Sequence, residues 1–298
     1  MMVEEFLNWL HEEGKDEKTI KAYRSCLNQF IEWLHGNDSY DMSAIKPIDI
    51  KEYNSYLKHN LNRSPNTINK STAALKTYFS YLTENNHIAV DPTKKVKLIK
   101  IQQIETVKDT MKWLTKREQE RFISYVDEER NELERVRNLA IIDVMLYAGL
   151  RVAEVEDLKI EDIKVNGDIT ITIREGKKGK YAVVTLINDY SRNLRKWLRM
   201  RQTLDKSKHK ESPYLFVSER SGQFGARGIQ AMLNKYAELA GMENITPHRF
   251  RHSFCKNLAL AGIPIEIISK LARHENIQTT AIYIDSTQQE MLSALKKM

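Results

Sequence analysis

Apolar side chains recur every three or four positions through the first 92 residues, the spacing that gathers them on one face of an α-helix. Phe6, Leu7 and Leu10 form the first such stripe, and Ile20, Tyr23, Leu27, Phe30, Ile31 and Leu34 form the second, within residues 18–34. Pro47 opens a third helix that reaches Leu57, since proline lacks only an N–H that the first helical turn leaves unpaired anyway. Ser64-Pro65 opens a fourth, with Ile68, Leu75, Tyr78, Phe79 and Leu82 on its inner face. Four helices joined by short polar loops predict a compact helical domain over residues 1–92.

Asp91-Pro92 ends that pattern. Residues 93–112 hold six lysines and little periodicity, and read as an extended basic linker. Two readings fit it equally: a solvated tether, or a strand of chain that passes close to phosphates. The pattern resumes over 113–298. Thr115 with Glu118 makes a capping box at the start of a helix. Residues 137–148 are apolar enough for a core helix. Ile169, Ile171 and Ile173 then alternate with Thr170 and Thr172, the period of a strand, and residues 182–186 return after the turn Gly176-Lys177-Lys178-Gly179-Lys180. This predicts a β-hairpin with a lysine-rich tip. The rest reads as helices separated by Gly and Pro breaks. The expected fold is mainly α with a small β-sheet: a helical domain followed by a mixed α/β domain over 113–298.

Composition narrows the class. A chain of 298 residues with 41% hydrophobic side chains can bury two cores, and no run of 18 apolar residues is present to cross a membrane. The N-terminus carries Glu4 and Glu5 and does not read as a signal peptide, so a cytoplasmic location is the default expectation. Cys26 and Cys255 form no Cys-x-x-Cys pair, and both read as small buried residues. The net charge is +7, and it is unevenly placed. Residues 1–92 hold 10 Lys and Arg against 13 Asp and Glu, whereas 93–298 hold 37 against 27. A polyanion partner would meet most of its cations in the second part.

Four clusters in that part could carry chemistry. In the first, an apolar helix runs into Gly149; Arg151 then opens a new helix with Glu154 one turn on. The arginine fork can meet a phosphate, held by Glu154, although an Arg–Glu pair at this spacing is commonly a plain surface pair. In the second, Lys177 sits on a glycine-flanked tip from which it could give a proton to a leaving oxygen, or simply be solvated. In the third, His248 and Arg251 stand three apart on one helix face, suited to a negatively charged centre, with His252 and Phe254 packing below. A metal pair of His248 and His252 or a plain basic helix would produce the same segment, but the acidic residue of a His-Glu-x-x-His zinc motif is missing. In the fourth, His274 is followed nine residues later by Tyr283 and then by a short amphipathic tail.

The order Arg, Lys, His-x-x-Arg, His, Tyr, realised here by Arg151, Lys177, His248, Arg251, His274 and Tyr283, resembles the tyrosine site-specific recombinase and phage integrase family, with the compact Xer-like and transposon-resolvase types most similar. Flanking residues agree: Gly149-Leu150-Arg151-Val152, Gly176-Lys177, Thr246-Pro247-His248 through His252-Ser253-Phe254, and Thr279-Thr280 before Tyr283. Lys18-Thr19-Ile20 to Tyr23 resembles the start of the family's core-binding helical domain. Two positions depart from the pattern: Ala148 stands where the family has Thr, and Arg273 where it has Gly before the last His, which should alter the turn that presents His274.

The resemblance implies a function and a set of roles. Tyr283 is the nucleophile that forms a 3′-phosphotyrosyl bond with a DNA strand; Arg151 and Arg251 stabilise the charge on the phosphate; His248 and His274 supply hydrogen bonds or proton transfer, with His248 the better base; Lys177 is the general acid; and Glu154 orients Arg151 and His248. It implies no metal, no cofactor and no ATP. It implies a clamp of two domains on double-stranded DNA carrying specific core sites, four protomers of one or two kinds assembling on two sites, and no membrane partner. The tail, with Met291, Leu292 and Leu295 on one stripe, is expected to dock on a neighbour or on its own domain. Because the chain opens on the helical domain, with no arm-binding domain ahead of it, resolution of dimers or cointegrates is expected before phage or transposon integration. A DNA-binding module that no longer reacts would lack some of the six positions, and a metal-dependent nuclease or transposase would need a carboxylate cluster.

Overall fold

The computed structural model describes residues 2–36, 42–100, 113–175, 180–274 and 276–281, without the side chains of Glu175 and Lys180. The chain divides into two compact units, Met1–Glu105 and Thr106–Met298. Most described residues are helical, and the strands form a single three-stranded antiparallel sheet.

The first unit contains four helices, α1 (Met2–Glu12), α2 (Glu17–His35), α3 (Pro47–His59) and α4 (Pro65–Glu84). They are the four that the apolar stripes predict. Asp16 caps α2 by accepting from the Thr19 N–H at 2.8 Å, and Ser64 caps α4 by accepting from Thr67. The stripes meet in one core in which Phe6, Leu27, Phe30, Leu75 and Phe79 are fully buried. Its rings meet edge to face: Phe6 with Tyr78 at 5.1 Å, and Phe30 with Tyr53 at 5.0 Å. The chain beyond α4 stays with this core. Val96 is buried in it, and the Asn69 side chain exchanges two hydrogen bonds with the Ile99 backbone at 2.8 and 3.0 Å. The basic segment is therefore packed on the helices up to that point, and residues 101–112 lie outside the described part.

The second unit opens with α5 (Lys116–Asp127), capped by the predicted box: the Glu118 N–H donates to Thr115 Oγ1 at 3.3 Å, and Glu118 Oε2 accepts from the Thr115 N–H at 2.7 Å. Then follow α6 (Glu132–Leu146), α7 (Val152–Asp157), β1 (Ile163–Asn166), β2 (Asp168–Glu175), β3 (Lys180–Leu186), α8 (Arg192–Gln202), α9 (Ser207–Lys210), α10 (Ala226–Leu239), α11 (Pro247–Leu260), α12 (Ile265–Ala272) and the single turn α13 (Gln278–Ala281). The hairpin of β2 and β3 has the expected facing: Ile169 pairs Leu186, Ile171 pairs Val184 and Ile173 pairs Ala182, so the isoleucines point into the core. Strand β1 was not anticipated. Its side chains are mostly exposed, so it shows no alternation, and it is a strand only because it pairs with β2. Between α9 and α10 the chain is irregular, where helices alone were expected. It is held by side chains rather than by a ladder: Trp197 Nε1 donates to the Leu215 carbonyl at 3.0 Å, and buried Arg201 donates to the carbonyls of Ser212 and Tyr214.

Helix α6 runs through the middle of this core, with α8 and α11 packed on it. It buries one carboxylate, Asp143, which reaches the start of α8 and accepts from the Asn193 N–H at 3.2 Å and its side-chain amide at 3.1 Å. Burial pushes the Asp143 pKa up to about 7, against the opposing pull of those hydrogen bonds. A carboxyl whose folded pKa is raised holds a proton that the unfolded chain has already released, so its contribution to stability is full below about pH 4 and is lost as pH rises through about 7. Thermal melting of the native chain and Asp143→Asn between pH 4.5 and 8 should therefore diverge, the native chain losing stability relative to the variant as pH rises. Parallel curves would show that Asp143 does not titrate in this window.

Candidate functional site

The site is built on two helix ends that meet. Helix α6 ends at Leu146, and the chain beyond it turns at Gly149, whose φ of +63° is the left-handed conformation that glycine adopts at little cost. There is also no room for a side chain: a Cβ at Gly149 would lie 2.5 Å from the Phe254 ring. The chain then turns, and Arg151 takes the capping position of α7 in an extended conformation. Its N–H donates to Glu154 Oε2 at 2.7 Å, and its Nη1 donates to Glu154 Oε1 at 2.8 Å.

The second end is that of α12. The N–H groups of Arg273 and His274 return to the carbonyls of Lys270 and Ser269, both at 3.0 Å, the pair of bonds that closes a helix through a left-handed residue. That residue is Arg273, with φ +53° and ψ +47°. The turn expected to suffer from the loss of glycine keeps its geometry, and the arginine accepts the backbone strain.

Helix α11 supplies the third part. Thr246 caps it and Pro247 occupies its first turn. It is fastened to the start of α5, where Ser253 Oγ accepts from the Leu114 N–H at 2.7 Å and the amides of Asn257 and Gln119 pair. Arg251 is 4% exposed, and its two terminal nitrogens donate to the carbonyls of Gly149 and Ala272, one at each helix end. Arg151 Nη2 donates to the carbonyl of Arg273 at 2.9 Å. Arg273 in turn donates to Glu154 Oε2 at 2.6 Å and to the Gly149 carbonyl at 3.3 Å. Glu154, Arg151, Arg251, Arg273 and His274 thus converge around one turn.

Their electrostatics follow from that crowding. Burial would raise the Glu154 pKa, but the Arg273 charge, then the Arg151 N–H and guanidinium, hold it below the ordinary carboxylate value. Burial, and next the charges of Arg151 and Arg273, lower Arg251 to about 10, still protonated at neutral pH. Burial and the same three arginines push His274 down to about 4, so the ring is neutral at pH 7. Its Nδ1 lies 2.8 Å from the hydroxyl of buried Thr280.

Of the sequence-predicted residues, the structure brings together Arg151, Glu154, Arg251 and His274. His248 lies on the first turn of α11, exposed, its ring 6.1 Å from that of His252. The described partners of Glu154 are Arg151 and Arg273. Lys177, Tyr283 and the tail fall outside the described residues. Among the described residues, no three His, Cys, Asp or Glu side chains gather closely enough to hold a metal ion. Sequence reasoning did not assign roles to Arg273 or Thr280; the one available signal was an arginine at a helix end where glycine is expected.

The chain is similar to known proteins in sequence and in fold. Residues 112–290 match the Phage integrase family, and residues 2–88 match its N-terminal SAM-like domain. The chain is 31% identical over 300 residues to tyrosine recombinase XerA of Pyrococcus horikoshii, covering 99% of this chain and 93% of that one. It is 28% identical over 295 residues to the TnP I resolvase of Bacillus thuringiensis, covering 99% of both. In fold it is similar to the XerH site-specific recombinase bound to a palindromic difH substrate, with a TM-score of 0.74, 24% identity, and 93% of this chain and 78% of that one covered.

The contact at Gly149 makes a direct prediction. Gly149→Ala should lower stability by roughly 2 kcal/mol or more, from the combined cost of a left-handed alanine and an overpacked ring. Chemical denaturation measures it. Adding Phe254→Ala should leave the variant still less stable than Phe254→Ala alone, because extra room does not relieve the positive φ. Native stability in Gly149→Ala would mean that the helix end adjusts freely.

Proposed function

The chain belongs to the phage integrase family and is a site-specific tyrosine recombinase that cuts and rejoins DNA; we propose that it does so with Tyr283 as nucleophile on a phosphate held by Arg151 and Arg251. The observation that supports this most is the convergence of two arginines and a neutral histidine on one turn, each arginine anchored through backbone carbonyls. Arginine does not lose its proton at working pH, and its fork matches two phosphate oxygens at once. Dipoles already oriented in a half-buried site cost nothing to rearrange as charge develops.

The Tyr283 oxygen attacks the scissile phosphorus, the phenolic proton passes to His248, a P–O bond to tyrosine forms and the bond to the 5′-oxygen breaks. Lys177 gives the leaving oxygen its proton. A free tyrosine has a pKa near 10, so a base and nearby cations are both needed at neutral pH. Arg151 and Arg251 take the charge of the non-bridging oxygens. In the tautomer whose Nδ1 accepts from the Thr280 hydroxyl, His274 offers its Nε2–H as a neutral donor. Reversal by a 5′-hydroxyl of another strand rejoins the DNA, and the ester energy is conserved in the phosphotyrosine, so neither ATP nor a metal is consumed.

The proposal extends to organisation. Residues 1–92 and 113–298, joined by the lysine-rich segment, close as a clamp on duplex DNA, and four protomers, identical or paired with a second recombinase, assemble on two core sites. Since one relative is named a resolvase and another a Xer recombinase, we assign this chain to resolution of dimers or cointegrates in the cytoplasm.

Incubation with a nicked suicide substrate tests the chemistry. The native chain should give a covalent DNA adduct in excess EDTA, and Tyr283→Phe should bind DNA without forming one; an adduct in the variant removes Tyr283 from its role, and activity restored only by magnesium argues for a metal-dependent reaction. Lys177 needs a separate test. Lys177→Ala should cut ordinary DNA slowly, by about 100-fold or more, and recover on DNA with a 5′-bridging sulfur, whose thiolate leaves without a proton. Arg151→Ala should not recover on that substrate. An undiminished rate for Lys177→Ala on ordinary DNA would exclude it and turn attention to Lys178 and Lys180.

A further inference from the structure

Arg273 combines three features that seldom occur together. It is a non-glycine residue at φ +53°, a conformation that costs an ordinary side chain on the order of 1 kcal/mol. Its guanidinium is withdrawn from water, with 9% of the side chain exposed, against a carboxylate that is only 12% exposed. It also grips the assembly around Arg151 from two directions. Its side chain donates to Glu154 Oε2, the oxygen that accepts the Arg151 N–H, and its own carbonyl accepts from Arg151 Nη2. Strain of this kind persists only where the surroundings enforce it.

The two grips have a common result. Glu154 cannot rotate, because one oxygen is fixed by Arg273 and by the Arg151 backbone and the other by Arg151 Nη1. The Arg151 guanidinium is then held at both terminal nitrogens, by Glu154 and by the Arg273 carbonyl, while 38% of its side chain stays exposed. The remaining donors of the fork are left in one orientation toward solvent. A second arginine on the same carboxylate also leaves the cluster with excess positive charge, which a lone Arg151–Glu154 pair would lack.

We propose that Arg273 is a positioning residue of the strand-cleavage site: it locks Glu154, and through it orients Arg151 toward the scissile phosphate. This rests on the reading that Arg151 binds that phosphate and Tyr283 attacks it. Arg273 itself is turned to Glu154 and Gly149, and acts through Arg151 rather than on the DNA.

Arg273→Gly separates this role from a structural one, because glycine relieves the positive φ while removing the guanidinium. The variant should melt no lower than the native chain and bind its DNA site within about 2-fold, yet cut a suicide substrate at saturating DNA on the order of 10-fold to 100-fold more slowly. Arg273→Lys, which keeps the charge but not the fork, should fall between. Adding Arg273→Gly to Glu154→Gln should slow cutting little further, since both changes free the same arginine. On DNA with a neutral methylphosphonate at the scissile position, the Arg273→Gly defect should shrink together with that of Arg151→Ala. A native rate in Arg273→Gly overturns the proposal, as does a rate loss matched by lower melting or weaker DNA binding, or a defect undiminished on methylphosphonate. An adduct that survives Tyr283→Phe overturns the underlying chemistry and the proposal with it, whereas a Tyr283-dependent adduct with an unaffected Arg273→Gly rate overturns the positioning role alone.

Discussion

Two helix ends, each closed by a left-handed residue, have to meet for this site to exist. Beyond the end of α6 the residue is Gly149, where a Cβ would collide with Phe254. At the end of α12 it is Arg273, which tolerates the conformation while its side chain is held. Ending a helix this way turns carbonyls outward instead of along the axis, and those of Gly149, Ala272 and Arg273 are the acceptors that Arg151, Arg251 and Arg273 use. The backbone thus supplies the negative ends of dipoles where three cations gather. A helix that ran through either position would spend those carbonyls on its own ladder.

That arrangement addresses a general difficulty of half-buried cations. A guanidinium removed from water must have its N–H groups satisfied, and full carboxylate neutralisation would cancel the field that a phosphate needs. Carbonyl acceptors satisfy the donors without a compensating full charge. One carboxylate, Glu154, serves two arginines and remains ionised because of them. Burial and then the residual field act on its neighbours: Arg251 falls to about 10 and His274 to about 4. A histidine so depressed is neutral across the physiological range, and its own contribution to the cluster's charge does not vary with modest changes in pH.

Much of the fold was legible because the relevant signals are local. The stripes of α1 to α4, the Thr115–Glu118 box and the isoleucine alternation of β2 each lie within a few residues, and each predicts the element that forms. The misses share a different cause. Strand β1 exists through pairing with β2, and the irregular chain before α10 is held by Arg201 and Trp197 reaching backbone carbonyls 11 to 18 residues away. Long-range bonds from side chain to backbone leave no periodic trace. The site divides in the same way. Arg151 with Glu154, and Arg251 three residues after His248, are helix-spacing relations and could be read directly. The grip of Arg273 on Glu154 spans 119 positions, and only the turn geometry reveals that an apparent departure from the family's glycine is part of the site.

The first unit's helices are net acidic over residues 1–92, and the excess of basic residues belongs to the part that contains the arginine cluster. Among the described residues of this part, Lys164, Lys206, Lys208, Arg220 and Lys270 are exposed, where salt screens their charge. Arg251 is different in kind: at 4% exposure, its charge is set against carbonyls in a medium that screens far less. Surface cations bring a polyanion near and can be exchanged for one another with small effect. The buried guanidinium cannot be exchanged at so little cost, since replacing it would take its donor from the Ala272 carbonyl and leave the Gly149 carbonyl with the longer bond from Arg273. Exposed cations are thus spread over this unit, whereas the buried charge of Arg251 lies where the turn after α6 meets α11 and α12.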